Sequence, residues 1–233
     1  MEKNKVTSYL LYAIGEIVLV VVGILIAVSI DDWNDNRINK ARINTSIGFM
    51  LEELKRDSLD RQGAIDYTTP MNVKINDWYN RINSKNASLD TVVKIMRGEF
   101  IGNWATHFRE NTTAYDNMKS TGILELIPDT IRIQIDEYYK SMNRSIEILE
   151  MYNIQYREPL EEYNKTYSIL RDSSFIANVI WSDIDTKHFL PRARWLVFTK
   201  MLLWSQYEKF CRRDQDLLIE LQKTLLNYKK VNI

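Results

Sequence analysis

The chain holds one cysteine, Cys211, so neither an intrachain disulfide nor a cysteine-based zinc cage can form. Seven glycines and four prolines in 233 residues are few. Strands joined by tight turns consume both, so an all-β sandwich is disfavoured and a helical chain favoured. Lys plus Arg and Asp plus Glu are 31 each, which leaves no net charge and none of the basic excess of a nucleic-acid binder. Catalytic signatures are missing too. There is no Gly-x-Gly-x-x-Gly, no phosphate-cradling loop ending in Lys-Ser/Thr, and no Gly-x-Ser-x-Gly elbow. Histidine is limited to His107 and His188, too few to build a metal centre alone. Adjacent acids such as Glu52-Glu53 and Glu161-Glu162 point about 100° apart on a helix, which suits solvated surface better than acid–base chemistry. No catalytic residue, metal site or cofactor is expected.

What the chain does have is a long apolar run. Tyr9 to Ile30 carries a single charge, Glu16, and at about 1.5 Å per residue reaches about 33 Å as a helix. That is enough to cross a hydrocarbon core. The next most apolar stretch, Arg194 to Trp204, is short and interrupted by Lys200, and reads as a buried helix or interfacial segment. A cleaved leader competes for the first run, with Lys3 and Lys5 before it and Ala27-Val28-Ser29 as a loose cleavage site. The run exceeds the usual apolar core of a leader and holds an acid, so an anchor is the preferred reading. Lys and Arg flank both ends, but Asp31, Asp32 and Asp35 precede any positive charge on the far side, favouring an inside N-terminus. The expected layout is a cytoplasmic tail over 1–8, a transmembrane helix over 9–30 and a periplasmic helical domain over 31–233. Trp33 falls where an interfacial aromatic anchor belongs.

Glu16 is the most informative residue of the run. An ionisable group at membrane depth is costly unless it snorkels, pairs or neutralises. Gly15, Gly23 and Ala27 are the other unusual positions, and Gly23-x-x-x-Ala27 is a small-x-x-x-small pair. Steps of seven and four place Glu16, Gly23 and Ala27 on one helical face, with Tyr12 four residues earlier. Small residues let backbones approach, and polar groups turn towards a partner rather than lipid. A helix–helix contact is expected along this stripe, with Glu16 also a candidate proton or ion site.

The run YLLYAIGEIVLVVVGILIAVSIDDWNDNR resembles the N-terminal signature of an uncharacterised single-pass membrane family common in the Bacteroidota. Tyr115 to Tyr139 (YDNMKSTGILELIPDTIRIQIDEYY) is similar to that family's central block. The resemblance implies an envelope location and a helical extramembrane domain, and transfers no activity.

Beyond the run the helix is expected to continue, since no Gly or Pro intervenes before Gly48. Ile43, Ile47, Met50 and Leu54 form a seam-like, coiled-coil-type stripe, and Pro70 is expected to end the element. A shorter helix is read over 71–83. Ser88 then suits an N-cap for Leu89 to Arg97, and Gly98 to Glu110 reads as a loop. Thr113 to Ser120 reads as helix, with Gly122 ending it in a left-handed cap. Pro128-Asp129 opens the clearest helix, striped by Ile131, Ile135, Tyr138, Met142, Ile146, Leu149, Tyr152 and Tyr156, which Pro159 ends or bends. Helices over 160–170 and 174–184 follow. After Pro191, residues 192–228 form a last long element with Leu217, Leu221, Leu225 and Tyr228 on one face. An all-α protein is the result: a transmembrane helix running on into a long helix, then an extramembrane bundle.

The function this favours is non-enzymatic: a membrane-anchored scaffold or interaction module that self-associates through its span. An oligomeric ion- or proton-coupled pore or motor subunit using Glu16 is the alternative, and a sensor relaying through a partner ranks below both. Implied partners are membrane lipid, further copies of the chain and another envelope membrane protein, with no nucleic acid.

Overall fold

The computed structural model describes residues 3–103, 111–167 and 186–232. Among them every regular element is helical. The first helix, α1 (Lys3–Asn83), runs 81 residues without interruption, about 120 Å. After it come α2 (Leu89–Lys94), a π-helical turn (Ile95–Glu99), α3 (Thr113–Ser120), a short 3-10 turn (Ile123–Leu126), α4 (Asp129–Tyr167) and α5 (Thr186–Asn232).

Among the described residues, three long helices make the bundle. Gln215 Nε2 donates to Ser58 Oγ at 2.9 Å and Asn72 Nδ2 to the Trp204 carbonyl at 3.1 Å, so α5 runs antiparallel to α1. Ser145 Oγ meets Asp214 at 2.6 Å and the Tyr163 ring meets Phe189 at 6.2 Å, so α4 is antiparallel to α5 and parallel to α1. The shorter elements cover the ends. The α2–π-turn unit is tied to the far end of α1 by Arg81–Glu99, and α3 sits beside Glu53 nearer the apolar run.

Where prolines were expected to stop helices, they do not. Pro70 lies inside α1, and the expected separate helix over 71–83 is the last part of it. Proline removes one backbone donor and crowds the preceding turn. Here hydroxyls of Thr68 and Thr69 bond back to the carbonyls of Ala64 and Ile65, while Asn72 and Thr69 both reach Glu208 on α5. Contacts across the bundle hold the turn in helical form. Pro159 likewise lies inside α4, which runs on to Tyr167, and Pro191 lies inside α5, which starts at Thr186. The helix read over 160–170 is thus the end of α4 as far as Tyr167. The one read over 174–184 lies outside the described residues.

Local signals elsewhere were obeyed. Ser88 Oγ accepts the Thr91 N–H at 3.2 Å, capping α2 as expected. The helix read from Leu89 to Arg97 gives way at Ile95 to the π turn. Gly122 follows α3 at φ 71°, a left-handed conformation that costs glycine little and other residues more.

The core divides in two. Ile43, Ile47, Met50 and Leu54 of α1 pack with Met118, Ile135, Tyr138, Leu218, Leu221 and Leu225 at the end nearer the apolar run. Ile75, Trp78 and Ile82 pack with Phe100, Tyr156, Tyr163, Phe189, Leu196 and Trp204 at the far end. Between them lies a polar waist with Asp57 and Arg61 of α1, Ser145 of α4, and Asp214 and Gln215 of α5, all buried.

Candidate functional site

Four places in the structure carry polar groups or open surface beyond ordinary packing. The first is the apolar third of α1. It is the one helix among the described residues long and apolar enough to cross a membrane. Every described side chain from Tyr12 to Ile30 is exposed, and no other part of the described chain covers them. Tyr12, Gly15, Glu16, Gly23 and Ala27 all fall on this bare stretch, and a Cβ added at Gly15 or Gly23 would meet nothing within 4 Å. Trp33, the expected interfacial anchor, is helical and exposed. The apolar run continues into the seam Ile43, Ile47, Met50 and Leu54 with no break.

The second place surrounds Lys200, whose side chain has no solvent exposure. Leu196, Val197, Leu203 and Trp204, at steps of three and four along α5, bring it to the core face. Its Nζ donates to the Asn103 carbonyl at 2.7 Å, to Asn103 Oδ1 at 2.8 Å and to the Tyr156 hydroxyl at 3.4 Å. The rings of Tyr156, Trp204 and Phe100 stand 5.0, 5.2 and 5.4 Å from the same nitrogen. Burial pushes this ammonium down to about 7. Among the described residues, aromatic faces and three acceptors surround it in place of a carboxylate. The group acts as a pin that ties the stretch after the π turn to α4 and α5.

The third is the waist. Asp214 accepts from Ser141, Ser145 and the Arg213 guanidinium at 3.1, 2.6 and 2.9 Å. Asn111 Nδ2 donates to Asp57 at 2.7 Å, and burial raises the Asp57 carboxyl despite this bond. The Arg61 guanidinium lies 5.8 Å over the Tyr138 ring. At the far end of α1, Arg81 grips Glu99 through two bonds of 2.6 and 2.8 Å. Its guanidinium holds the Glu99 carboxyl below the usual carboxylate range.

The fourth is a groove of about 570 Å³ between α1 and the α3–3-10 unit. Ala41, Thr45, Phe49 and Glu52 form its α1 wall, and Ala114 and Ile123 face them. Glu53 Oε2 accepts the Ala114 N–H at 3.0 Å, fixing the N-terminal turn of α3 at the groove's edge. Phe49 is 65% exposed beside it, a large apolar side chain without a place in either core.

Sequence patterns singled out the bare stripe but not these other groups. Lys200 entered only as the residue interrupting an apolar run, although its apolar neighbours on both adjoining turns already placed it on the buried face. Cys211 is buried within the far core. His188 lies exposed near the start of α5, and His107 lies outside the described residues. Among the described residues no three of His, Cys, Asp and Glu converge as metal ligands would.

Fold and surface together define an all-α protein built on one long helix, the first third of which is apolar enough to cross a membrane. The chain belongs to a family of unknown function (DUF6090), whose model matches residues 16–183. The match opens at Glu16 and takes in the rest of α1, the shorter helices and α4. Within it Tyr115 and Tyr139, the two ends of the central block, stack at 4.2 Å. No curated protein and no solved structure matches the chain.

Proposed function

We propose that this protein is a non-enzymatic membrane-anchored scaffold, held by residues 9–30 and self-associating along the Tyr12–Glu16–Gly23–Ala27 face. On this reading the bundle faces the periplasm from the inner membrane, with the N-terminus cytoplasmic and Trp33 at the interface. One observation carries the proposal. The stripe that combines small residues with a membrane-depth carboxylate is left bare by the chain's own bundle. A polar group at that depth needs a partner, and a small-residue face lets a second helix bring one close. The buried polar clusters support a structural role for the bundle, since Lys200, Asp214 and Glu53 each spend their bonds on neighbouring segments of the fold.

The test is the mass of the detergent-extracted full-length protein beside Glu16→Leu and Gly23→Leu variants. The expected result is a defined oligomer that dissociates in Gly23→Leu, where the added side chain holds the backbones apart. A wild-type monomer in detergent with no self-crosslinks in native membranes would overturn self-association. Conductance or proton flux lost in Glu16→Gln, with assembly intact, would instead favour the ion-coupled reading.

A further inference from the structure

The groove beside Phe49 and the bare stripe of the apolar run lie on one meridian of α1. Five turns of an α-helix take about eighteen residues, so positions eighteen apart share a face. Counting eighteen residues on from Gly23 gives Ala41, and from Ala27 gives Thr45. Two such steps from Glu16 reach Glu52, by way of Asn34. Ala41, Thr45 and Glu52 belong to the α1 wall of the groove, and all three are exposed. The same count from the buried seam runs the other way: Ile43 and Ile47 project back onto Leu25 and Ser29, away from the stripe. The buried seam therefore faces one side of α1 while the meridian of the stripe faces the other, and α3 with the 3-10 turn closes the groove along one edge of that meridian. No proline or break intervenes, since Pro70 lies well beyond Glu52.

We infer that the groove is a docking surface for α1 of a second copy of this chain, so that the interface begun by the transmembrane stripe continues past the membrane to Arg56. The inference deepens the self-association proposed above and rests on it. Three features favour a second copy as the occupant. A parallel partner lying along this straight meridian from Gly23 and Ala27 would bring its own Ala41 and Thr45 to the groove. Glu52 and Arg56 stand one turn apart on this face, so in a parallel pair the Glu52 of one copy lies within a turn of the other copy's Arg56. Phe49 of the arriving copy is the large apolar group free to fill the cleft.

Cysteine crosslinking of the full-length protein in native membranes tests this. Single cysteines are placed at Thr45 and Glu52 in a Cys211→Ala background, with Lys40→Cys and Met151→Cys as exposed controls off the meridian. Bis-maleimide dimers are expected at least tenfold more abundantly at Thr45 and Glu52 than at either control. Phe49→Asp should cut the Thr45 crosslink at least fivefold while helicity and thermal midpoint are preserved. An oligomeric mass with groove crosslinks no stronger than the controls would overturn this inference and leave transmembrane self-association standing. A monomer with no self-crosslinks anywhere would overturn both. Crosslinks from Thr45 to a different protein alone would also overturn the second-copy assignment.

Discussion

The backbone carbonyl oxygen of Asn103 stands 2.7 Å from Lys200 Nζ, although 97 residues separate the two in sequence. One ammonium thereby fastens the irregular stretch after the π turn to the middle of α5. Aromatic rings enclose that ammonium on three sides.

That pin makes stability depend on alkaline pH. The Lys200 ammonium sits near 7 in the folded protein against 10.5 for a free lysine. Between those values the unfolded chain binds the additional proton, so stability rises with pH across the window and is flat below it. The slope is at most about 1.4 kcal/mol per pH unit, or about 3–5 kcal/mol in all. Urea midpoints of wild type and Lys200→Met at pH 7 and 9.5 check this. The wild-type gain should vanish in Lys200→Met; an equal gain in both would assign the dependence to other groups.

Acid should loosen the far end of α1. The Arg81 guanidinium depresses the Glu99 carboxyl below its usual 4.5, so the contribution is present above that value and lost as pH falls through the depressed one. Both partners keep about a third of their side-chain surface in water, which limits the pair to about 0.5–1 kcal/mol. A double-mutant cycle of Arg81→Met and Glu99→Gln at pH 7 should return that coupling energy, and at pH 2 almost none.

Asp214 should matter more than its place on an amphipathic helix suggests. Asp214→Ala removes the acceptor shared by Ser141, Ser145 and the half-exposed Arg213 guanidinium, at a cost of about 1–3 kcal/mol. Chemical denaturation measures it. A loss below about 0.5 kcal/mol, the range of ordinary surface substitutions, would mean that the waist is held by packing alone.

Pro70→Ala should stabilise the protein by about 1–3 kcal/mol, because it restores a missing backbone bond in an intact helix. The neighbouring Thr69, Asn72 and Glu208 contacts stay in place. A lowered thermal midpoint would show that the bundle depends on the proline's shape.

Several of these residues show how far the sequence could be read. The apolar run, the seam from Ile43 to Leu54, the cap at Ser88, the left-handed Gly122 and the start of α4 at Asp129 rest on local rules, and the structure follows each. Pro70 and Pro191 were read by the same local rules as breaks and misled; at Pro70, contacts across the bundle offset the cost of one lost bond. The α4 stripe shows a second limit. Ile146 and Tyr152 are only half-buried, while Ser145 and Asn153 beside them are buried. A count of apolar residues cannot find a polar waist, which exists only once Asp214 and Arg213 arrive from another helix. On α5, Leu221 and Leu225 are buried as expected, but Leu218 takes the innermost place beside the half-buried Leu217. The groove was invisible for the same reason, since its opposite wall comes from α3 and the 3-10 turn.

The unbroken course of α1 has an entropic consequence. A domain on a flexible linker samples every orientation above a bilayer, and each encounter must freeze that freedom again. Here the bundle and the apolar run share one rigid rod, so an anchored molecule would keep its height and tilt and retain only lateral drift and spin about its own axis. Two such molecules would meet with most of their orientational search already done, and even a weak contact between them could persist.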